Sequence, residues 1–336
     1  MKVLVTANFD PASLQALEKL GLTVIYEPWT RANRMLLSDE LARRVVEIGA
    51  DAVIIEADLC HEEVFEAVKL QFVGCCRCDP LVVDLDTATE AGIPVFYTPG
   101  RNAEAVADLT IALMLNLLRN VIPAANALRS GAFCPETPAD YIGYLQQMSG
   151  RELGSQTVGL VGLGAVGSAV ARRLLAFGSR ILVADPFAPD ERVRAFNARP
   201  VQLPELFREA DIVSLHAAEG GENEGIITAE LIAAMKPTAF FLNLARASLC
   251  DNDALYRALA EKRIAGAGLD VFLREPVSCD DRFVKLDNVI ALPHLGGASR
   301  DVVRRQSEMI VASVRAWLKG EKPRFCANSH ALQSRK

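Results

Sequence analysis

TVGLVGLGAVGSAVARRL, residues 157–174, runs an apolar stretch into a glycine-rich turn and then into a segment with helical spacing. Gly162, Gly164 and Gly167 give the pattern G-x-G-x-x-G between the two. The three glycines answer different physical needs. The first permits a tight turn, the second lets the backbone approach a pyrophosphate, and the third lets the helix pack closely on the strand. The start of such a helix also attracts negative charge. Taken alone the triplet says little, because glycines mark turns everywhere. The next apolar stretch, RILVADPF (180–187), ends in Asp185 about twenty residues past the glycines. A carboxylate there accepts hydrogen bonds from ribose hydroxyls and repels a 2′-phosphate, so the pattern predicts NAD rather than NADP.

The same alternation extends on both sides. In the first hundred residues VLVT (3–6), TVIY (23–26), AVII (52–55), FVGCC (72–76) and PVFY (94–97) are separated by amphipathic stretches such as SLQALEKL (13–20) and LARRVVEI (41–48). Strands alternating with helices imply a parallel sheet covered by helices. NAEAVADLTIALMLNLLRNV (102–121) reads as a long apolar helix ending near Pro123. SGAFCPETPADYIGYLQQMSG (130–150) reads as an irregular surface excursion and a candidate subunit contact. A second alternating series runs from residue 157 to about 293. DVVRRQSEMIVASVRAWLKG (301–320) is expected to form a terminal helix, and the segment ending SHALQSRK a frayed tail.

Composition narrows the partners. A chain of 336 residues suggests two domains. The net charge of −6, without a basic tract, argues against nucleic acid, which requires clustered Lys and Arg. No signal-peptide pattern opens the chain, and no uncharged apolar run reaches membrane-spanning length. Eight cysteines scattered through apolar contexts do not resemble a secreted disulfide framework. The expectation is a cytoplasmic protein with reduced thiols and a small-molecule ligand.

Three further segments place reactive side chains at or just beyond predicted strand ends, where open parallel sheets bind ligands. FFLNLARASLCDNDAL (240–255) offers Arg246, GAGLDVFLREP (266–276) offers Asp270 and Glu275, and VIALPHLGGAS (289–299) offers His294. Moving a hydride between a hydroxy acid and NAD requires a group that handles the hydroxyl proton, and imidazole suits that role. It also requires a cation for the carboxylate and carbonyl oxygen, which the planar guanidinium fork of Arg246 can supply. A carboxylate such as Glu275 paired with the imidazole fixes its tautomer. Singly, each of these residues reads as an ordinary surface charge or turn; together, after a dinucleotide fingerprint, they read as a site.

These segments resemble the D-isomer-specific 2-hydroxyacid dehydrogenases, the family that includes phosphoglycerate, glycerate and D-lactate dehydrogenases. The resemblance runs through LQFVGCC, ATEAGIPVFYTPGRNAEAVADL, GLVGLGAVG, AELIAAMKPTAFFLNLARASL, GAGLDVFLREP and LPHLGGAS in that order. It implies an α/β protein in which a Rossmann NAD-binding domain, residues 101–297, is inserted into a discontinuous flavodoxin-like substrate domain, residues 1–100 and 298–336. Hinges would lie near Pro99-Gly100 and Gly296–Ala298. It further implies a homodimer built on the Rossmann domains and the 102–150 segment. Carried over by motif, Arg246 would bind substrate, Glu275 and His294 would form the acid/base pair, and Asp270 would contact the nicotinamide end. Ala165 and Val166 would offer backbone to the pyrophosphate, and Ser214, Leu215, His216, Ala217 and Ala218 would line the adenosine pocket.

VGCCRCDPLVVD (73–84) departs from the family pattern. The family usually carries Gly-x-Gly there, whose amides hold the substrate carboxylate; this chain has Arg77, Cys78 and Asp79. A zinc site wants four convergent ligands, and adjacent Cys75 and Cys76 on a strand must face opposite ways, so no metal is expected. Arg77 could instead read an anionic or polyhydroxylated substrate, with Asp79 on a hydroxyl, or both could face solvent. Ala247 stands where the family usually has Gly, and HAAEGGENEG (216–225) lacks the usual Pro and Thr. Two rival functions fit the same outline. A formate dehydrogenase would carry Gln in place of Glu275, and an NADH-sensing corepressor-like protein would bind NADH with little turnover.

Overall fold

The protein is described by a computed structural model covering residues 1–218, 220 and 223–329. The chain divides into two compact units: Met1–Asn102 with the chain from Ser299 onward, and Ala103–Ala298.

The first unit holds β1 (Lys2–Val5), α1 (Pro11–Lys19), β2 (Thr23–Tyr26), α2 (Trp29–Ala32), α3 (Ser38–Ile48), β3 (Ala52–Ile55), α4 (Glu62–Ala67), β4 (Val73–Cys75), α5 (Leu85–Glu90) and β5 (Val95–Tyr97). Its five strands are parallel and lie in the order β2-β1-β3-β4-β5, the flavodoxin-like arrangement. Side chains alternate across the sheet. Leu4, Val53, Ile55 and Cys75 join one apolar layer, and Val3, Val5, Ile54 and Cys76 join the other. Helices cover both faces, which is why AVII reads as one continuous apolar run. Asp10 caps α1 by accepting the Ser13 N–H, and Asp84 caps α5 by accepting the Thr87 N–H.

The second unit holds α6 (Ala103–Arg119), α7 (Val121–Ser130), α8 (Pro138–Met148), β6 (Thr157–Val161), α9 (Ala165–Phe177), β7 (Arg180–Ala184), α10 (Asp190–Arg194), β8 (Ala198–Pro200), α11 (Leu203–Glu209), β9 (Ile212–Leu215), α12 (Ala229–Ala233), β10 (Phe240–Asn243), α13 (Asn252–Ala260), β11 (Gly266–Leu269) and β12 (Val289–Ala291). Seven parallel strands run in the order β12-β11-β10-β9-β6-β7-β8, the Rossmann order with an added edge strand. In α6 the buried residues Val106, Ala107, Thr110, Ile111, Met114 and Leu118 recur at three- and four-residue spacing and face the sheet. The last helix, α14 (Arg300–Leu318), returns to the first unit, where Trp317 packs 5.4 Å from Phe72.

Two local readings differ from the sequence expectation. The apolar helix stops at Arg119 because Asn120 takes a left-handed φ of 52°; Pro123 then sits in the first turn of α7, where no intrahelical N–H is needed. Within 130–150, α8 replaces irregular structure. Thr137 and Asp140 cap it reciprocally, and Pro138 opens it. The expected frayed tail lies largely outside the described residues, as do positions 219, 221 and 222 of the 216–225 stretch. No single helix among the described residues is long and apolar enough to cross a membrane.

Candidate active site

At the β6–α9 turn the three glycines are under different constraints. Gly162 has a φ of +94°, and a Cβ there would meet the Ala217 nitrogen at 2.8 Å. A Cβ on Gly167 would come within 2.2 Å of the Gly162 carbonyl oxygen. Gly164 is different, because a Cβ there would meet nothing within 4 Å. Its bareness keeps open space over the start of α9, and no side chain among the described residues caps that helix. The amides of Ala165 and Val166 therefore open onto a space suited to an anion.

Asp185 follows β7, with Oδ2 accepting the Leu163 N–H at 2.6 Å and Oδ1 accepting the Phe187 N–H at 2.8 Å. The carboxylate thus also braces the glycine-rich loop, while its remaining lone pairs stay available to hydroxyls. His216 follows β9, close to Gly162; its Nε2 lies 2.9 Å from Ser214 Oγ. Burial pushes the His216 imidazole down to about 4, so it is neutral at pH 7. Ala217 contributes backbone beside the same turn, and Ala218 is exposed beyond it.

The reactive side chains emerge from consecutive strands of this sheet. Arg246 follows β10 and is exposed. Its turn is held by buried Asn243, whose Oδ1 accepts the Ala245 N–H at 3.0 Å and whose Nδ2 donates to the Arg246 carbonyl at 2.8 Å. Arg246 Nη1 donates to the Ala245 carbonyl at 2.8 Å. Ala247 keeps its methyl buried and needs no left-handed backbone.

Glu275 follows β11. Its Oε2 lies 2.7 Å from His294 Nδ1, and its Oε1 accepts the Phe272 N–H at 3.0 Å. Burial would raise its pKa, but the bonds from His294 and Phe272 and the charges of His294 and Arg246 together hold the carboxyl below its ordinary range. The three groups therefore share one electrostatic neighbourhood. His294 follows β12 with a φ of 58°, a left-handed conformation that costs energy in a non-glycine residue and persists only when surroundings impose it.

Asp270 supplies that constraint. It is 1% exposed, and its two oxygens accept the Leu295 and Gly296 N–H groups, each at 2.7 Å. Its carboxylate anchors the chain just after His294. Burial raises its pKa, against the two N–H groups and the His294 charge that lower it and with the Glu275 charge that adds to the rise.

In the first unit, Cys75 and Cys76 are fully buried on opposite faces of the sheet. Burial pushes the Cys75 thiol up to about 12 and the Cys76 thiol well above the ordinary thiol range. Beyond β4, the Arg77 carbonyl accepts the Thr98 N–H at 2.9 Å, Cys78 Sγ lies 3.2 Å from Asn102 Oδ1, and Asp79 is exposed. Among the described residues no group of three or more His, Cys, Asp or Glu could hold a metal ion.

Residues 111–296 match the model of the D-isomer specific 2-hydroxyacid dehydrogenase NAD binding domain. Over 287 residues the chain is 36% identical to a glyoxylate reductase of Korarchaeum cryptofilum, a match spanning 85% of each protein. The chain belongs to the D-isomer specific 2-hydroxyacid dehydrogenase family. Among solved structures, the TT0316 protein from Thermus thermophilus is 35% identical with a TM-score of 0.81, covering 97% of this chain and all of that one. The apo D-lactate dehydrogenase of Escherichia coli is 27% identical with a TM-score of 0.78 and the same coverage. As a 2-hydroxyacid dehydrogenase of this family, the protein is an NAD-dependent oxidoreductase acting on small 2-hydroxy and 2-keto acids. The open space over Gly164 fits the pyrophosphate of the dinucleotide. Sequence reading missed Asn243 and the anchoring role of Asp270. Both stand at strand ends within the segments that carry Arg246 and Glu275, yet neither residue type signals by itself that it holds a backbone.

Proposed function

We propose that Arg246, Glu275 and His294 are the catalytic set of this dehydrogenase and that its substrate is a small D-2-hydroxy acid or the corresponding 2-keto acid. The observation that carries this reading is the 2.7 Å pairing of His294 Nδ1 with Glu275 Oε2. It commits Nδ1 to the carboxylate and leaves Nε2 for the substrate oxygen. In the reductive direction His294 donates its proton to the carbonyl oxygen as that oxygen becomes a hydroxyl; in the oxidative direction it takes the proton back. Glu275 orients the ring and balances the charge of the imidazolium. The Arg246 guanidinium grips the substrate carboxylate and polarises the keto oxygen. Bound nicotinamide supplies or accepts the hydride.

On this reading Gly162, Gly164, Ala165, Val166, Gly167, Asp185, His216, Ala217 and Asp270 form or support the cofactor side, with Asp185 selecting NAD over NADP. The first unit is the substrate domain, and Arg77, Cys78 and Asp79 present side chains where the family usually has bare amides. The set suits a substrate carrying an anionic or hydroxyl group beyond the keto acid itself. Exposed Val121, Ile122, Leu128, Tyr141, Ile142 and Leu145 on α7 and α8 give the second unit an apolar surface suited to a homodimer. Eight free cysteines suit the reducing cytoplasm.

The test is NADH oxidation by the purified protein against glyoxylate, pyruvate, hydroxypyruvate, phosphohydroxypyruvate and sugar-derived keto acids, with His294→Ala as control. Turnover that collapses in the variant is the expected result. Tight NADH binding without turnover on any acid would overturn the reading in favour of a sensor.

A further inference from the structure

The first unit contains a cavity of about 340 Å³ whose described lining residues all belong to that unit. In an open parallel sheet, ligands collect outside the strand C-termini where the chain order reverses. In the order β2-β1-β3-β4-β5 that point lies between β1 and β3. Thr6 directly follows β1, Asp58 stands just beyond β3, and both line the cavity.

These two residues carry the argument. Asp58 is fully buried; its Oδ1 accepts the Leu36 N–H at 2.6 Å, but its Oδ2 is buried without a hydrogen-bond partner among the described residues. Thr6, 2% exposed, has a buried Oγ1 in the same condition. A buried carboxylate oxygen left without a donor is costly, so such an arrangement marks a place where a donor is expected to arrive. No ion pair to Asp58 is formed among the described residues, whereas the guanidinium groups of the lining are matched. Arg34 pairs with Glu40 at 3.0 Å, Arg43 with Asp39 at 2.6 Å, and Arg44 with Glu27 and Glu47. Four carboxylates against three guanidinium groups leave the lining one negative charge in excess. Trp29 and Leu36 add apolar wall, with the indole held by its Nε1 donating to Glu56 Oε2 at 3.2 Å.

We propose that this cavity binds a small organic ligand bearing a primary ammonium group, whose N–H donors meet Asp58 Oδ2 and Thr6 Oγ1 while its carbon chain lies along Trp29 and Leu36. An ammonium group brings three donors and a positive charge, which is what the two unpartnered oxygens and the excess charge call for. A hard metal ion fits less well, because it demands several converging oxygens and no such cluster of acidic or His/Cys ligands occurs among the described residues. The lining shares no residue with the catalytic set, and the proposal does not depend on how that set works.

The test is isothermal titration calorimetry of the full chain with three probes: n-butylamine, L-norvaline and butyrate. Tryptophan fluorescence is read in parallel, since Trp29 lines the cavity and the chain has only two tryptophans. Saturable binding of n-butylamine, with a Trp29 response and none from butyrate, is expected. Binding of norvaline as well would point to amino acids as the source of the ammonium, and its failure to free amines. Asp58→Asn, which keeps an acceptor for Leu36, is expected to weaken binding at least about tenfold by removing the charge. Ala32→Phe fills the rim while leaving Asp58 untouched and is expected to do the same, so the idea stays testable if the first variant fails to fold. The proposal is overturned if neither amine gives saturable binding, if butyrate binds as well as n-butylamine, or if both variants bind like the wild type.

Discussion

His294 Nδ1 and Glu275 Oε2 stand 2.7 Å apart, with the other Glu275 oxygen fixed by the Phe272 amide, so the imidazole is held from behind by a carboxylate that cannot easily rotate away. His294→Ala removes the proton donor and should lower kcat about 10²- to 10⁴-fold, with NADH affinity, read by fluorescence titration, unchanged. Glu275→Gln keeps an oxygen for one of the two bonds but loses the charge, and its kcat should fall between those of His294→Ala and the wild type. A His294→Ala enzyme retaining most of its turnover would remove the imidazole from the chemistry. The pH dependence of the pair has a definite sign. Glu275 titrates below its ordinary range in the folded protein, so its contribution to stability is present above the unfolded carboxyl value and is lost as the pH falls through the folded one. The stability gap between wild type and Glu275→Gln should therefore close as the pH falls below about 4.5.

The fingerprint glycines should separate fold from function. Gly167→Ala sets a methyl against the Gly162 carbonyl at 2.2 Å, a backbone contact with no room to give, and should depress the melting temperature strongly. Gly164→Ala meets only open space and should melt like the wild type while binding NADH several-fold more weakly. Equal NADH affinity in Gly164→Ala and wild type would mean that the space over α9 is not where the pyrophosphate lies.

Arg246 is exposed, and its backbone is set by Asn243. Arg246→Lys keeps the charge but loses the planar fork, and should cost on the order of 100-fold in kcat/KM. Asn243→Ala frees the turn that presents the guanidinium and should raise KM more than it lowers kcat. Steady-state kinetics on both variants with the best keto acid checks the split. A lysine variant as active as the wild type would show that a point charge suffices.

His216 gives a second pH signature, with the opposite kind of group. Its imidazole titrates at about 4 in the folded protein because it is buried, whereas an unfolded histidine titrates near 6.5. Unfolding therefore takes up a proton, and stability is lost as the pH falls from about 6.5 to 4, by at most roughly 3 kcal/mol. His216→Gln should flatten that part of the stability curve in chemical denaturation. An unchanged slope would mean that His216 is solvated.

Much of this was legible in the sequence because the relevant signals are local. The fingerprint, Asp185 and the three strand-end segments each announce a backbone or charge requirement within a few residues. The parallel order of both sheets followed from the alternation of apolar strands and amphipathic helices. What stayed hidden depends on partners distant in the chain. Asp270 is tied to amides some 25 residues away, and nothing in GLDVF distinguishes an anchor from a ligand contact. Asp58 and Thr6 are likewise unremarkable until their strands lie side by side. The helix α8 was missed for another reason: Gly, Pro and aromatic residues obscured the capping pattern Thr137-Pro138-x-Asp140, which is plain in the sequence once the helix is known.

Asp270 is the strongest case for a residue acting through another. With both oxygens accepting backbone N–H groups at 2.7 Å in a site that is 1% exposed, it holds the chain after His294 while that residue bears a φ of 58°. Asp270→Ala orphans two buried donors and should cost roughly 2 to 4 kcal/mol. Asp270→Asn should be little better, because its amide nitrogen would face one of those donors and cannot accept from it. In both variants kcat should drop with the His294 placement, since the left-handed turn loses the bonds that impose it. Thermal unfolding and steady-state kinetics at neutral pH read the two effects separately. A variant that melts several degrees lower yet retains wild-type kcat would confine Asp270 to stability and leave the His294 turn to some other restraint.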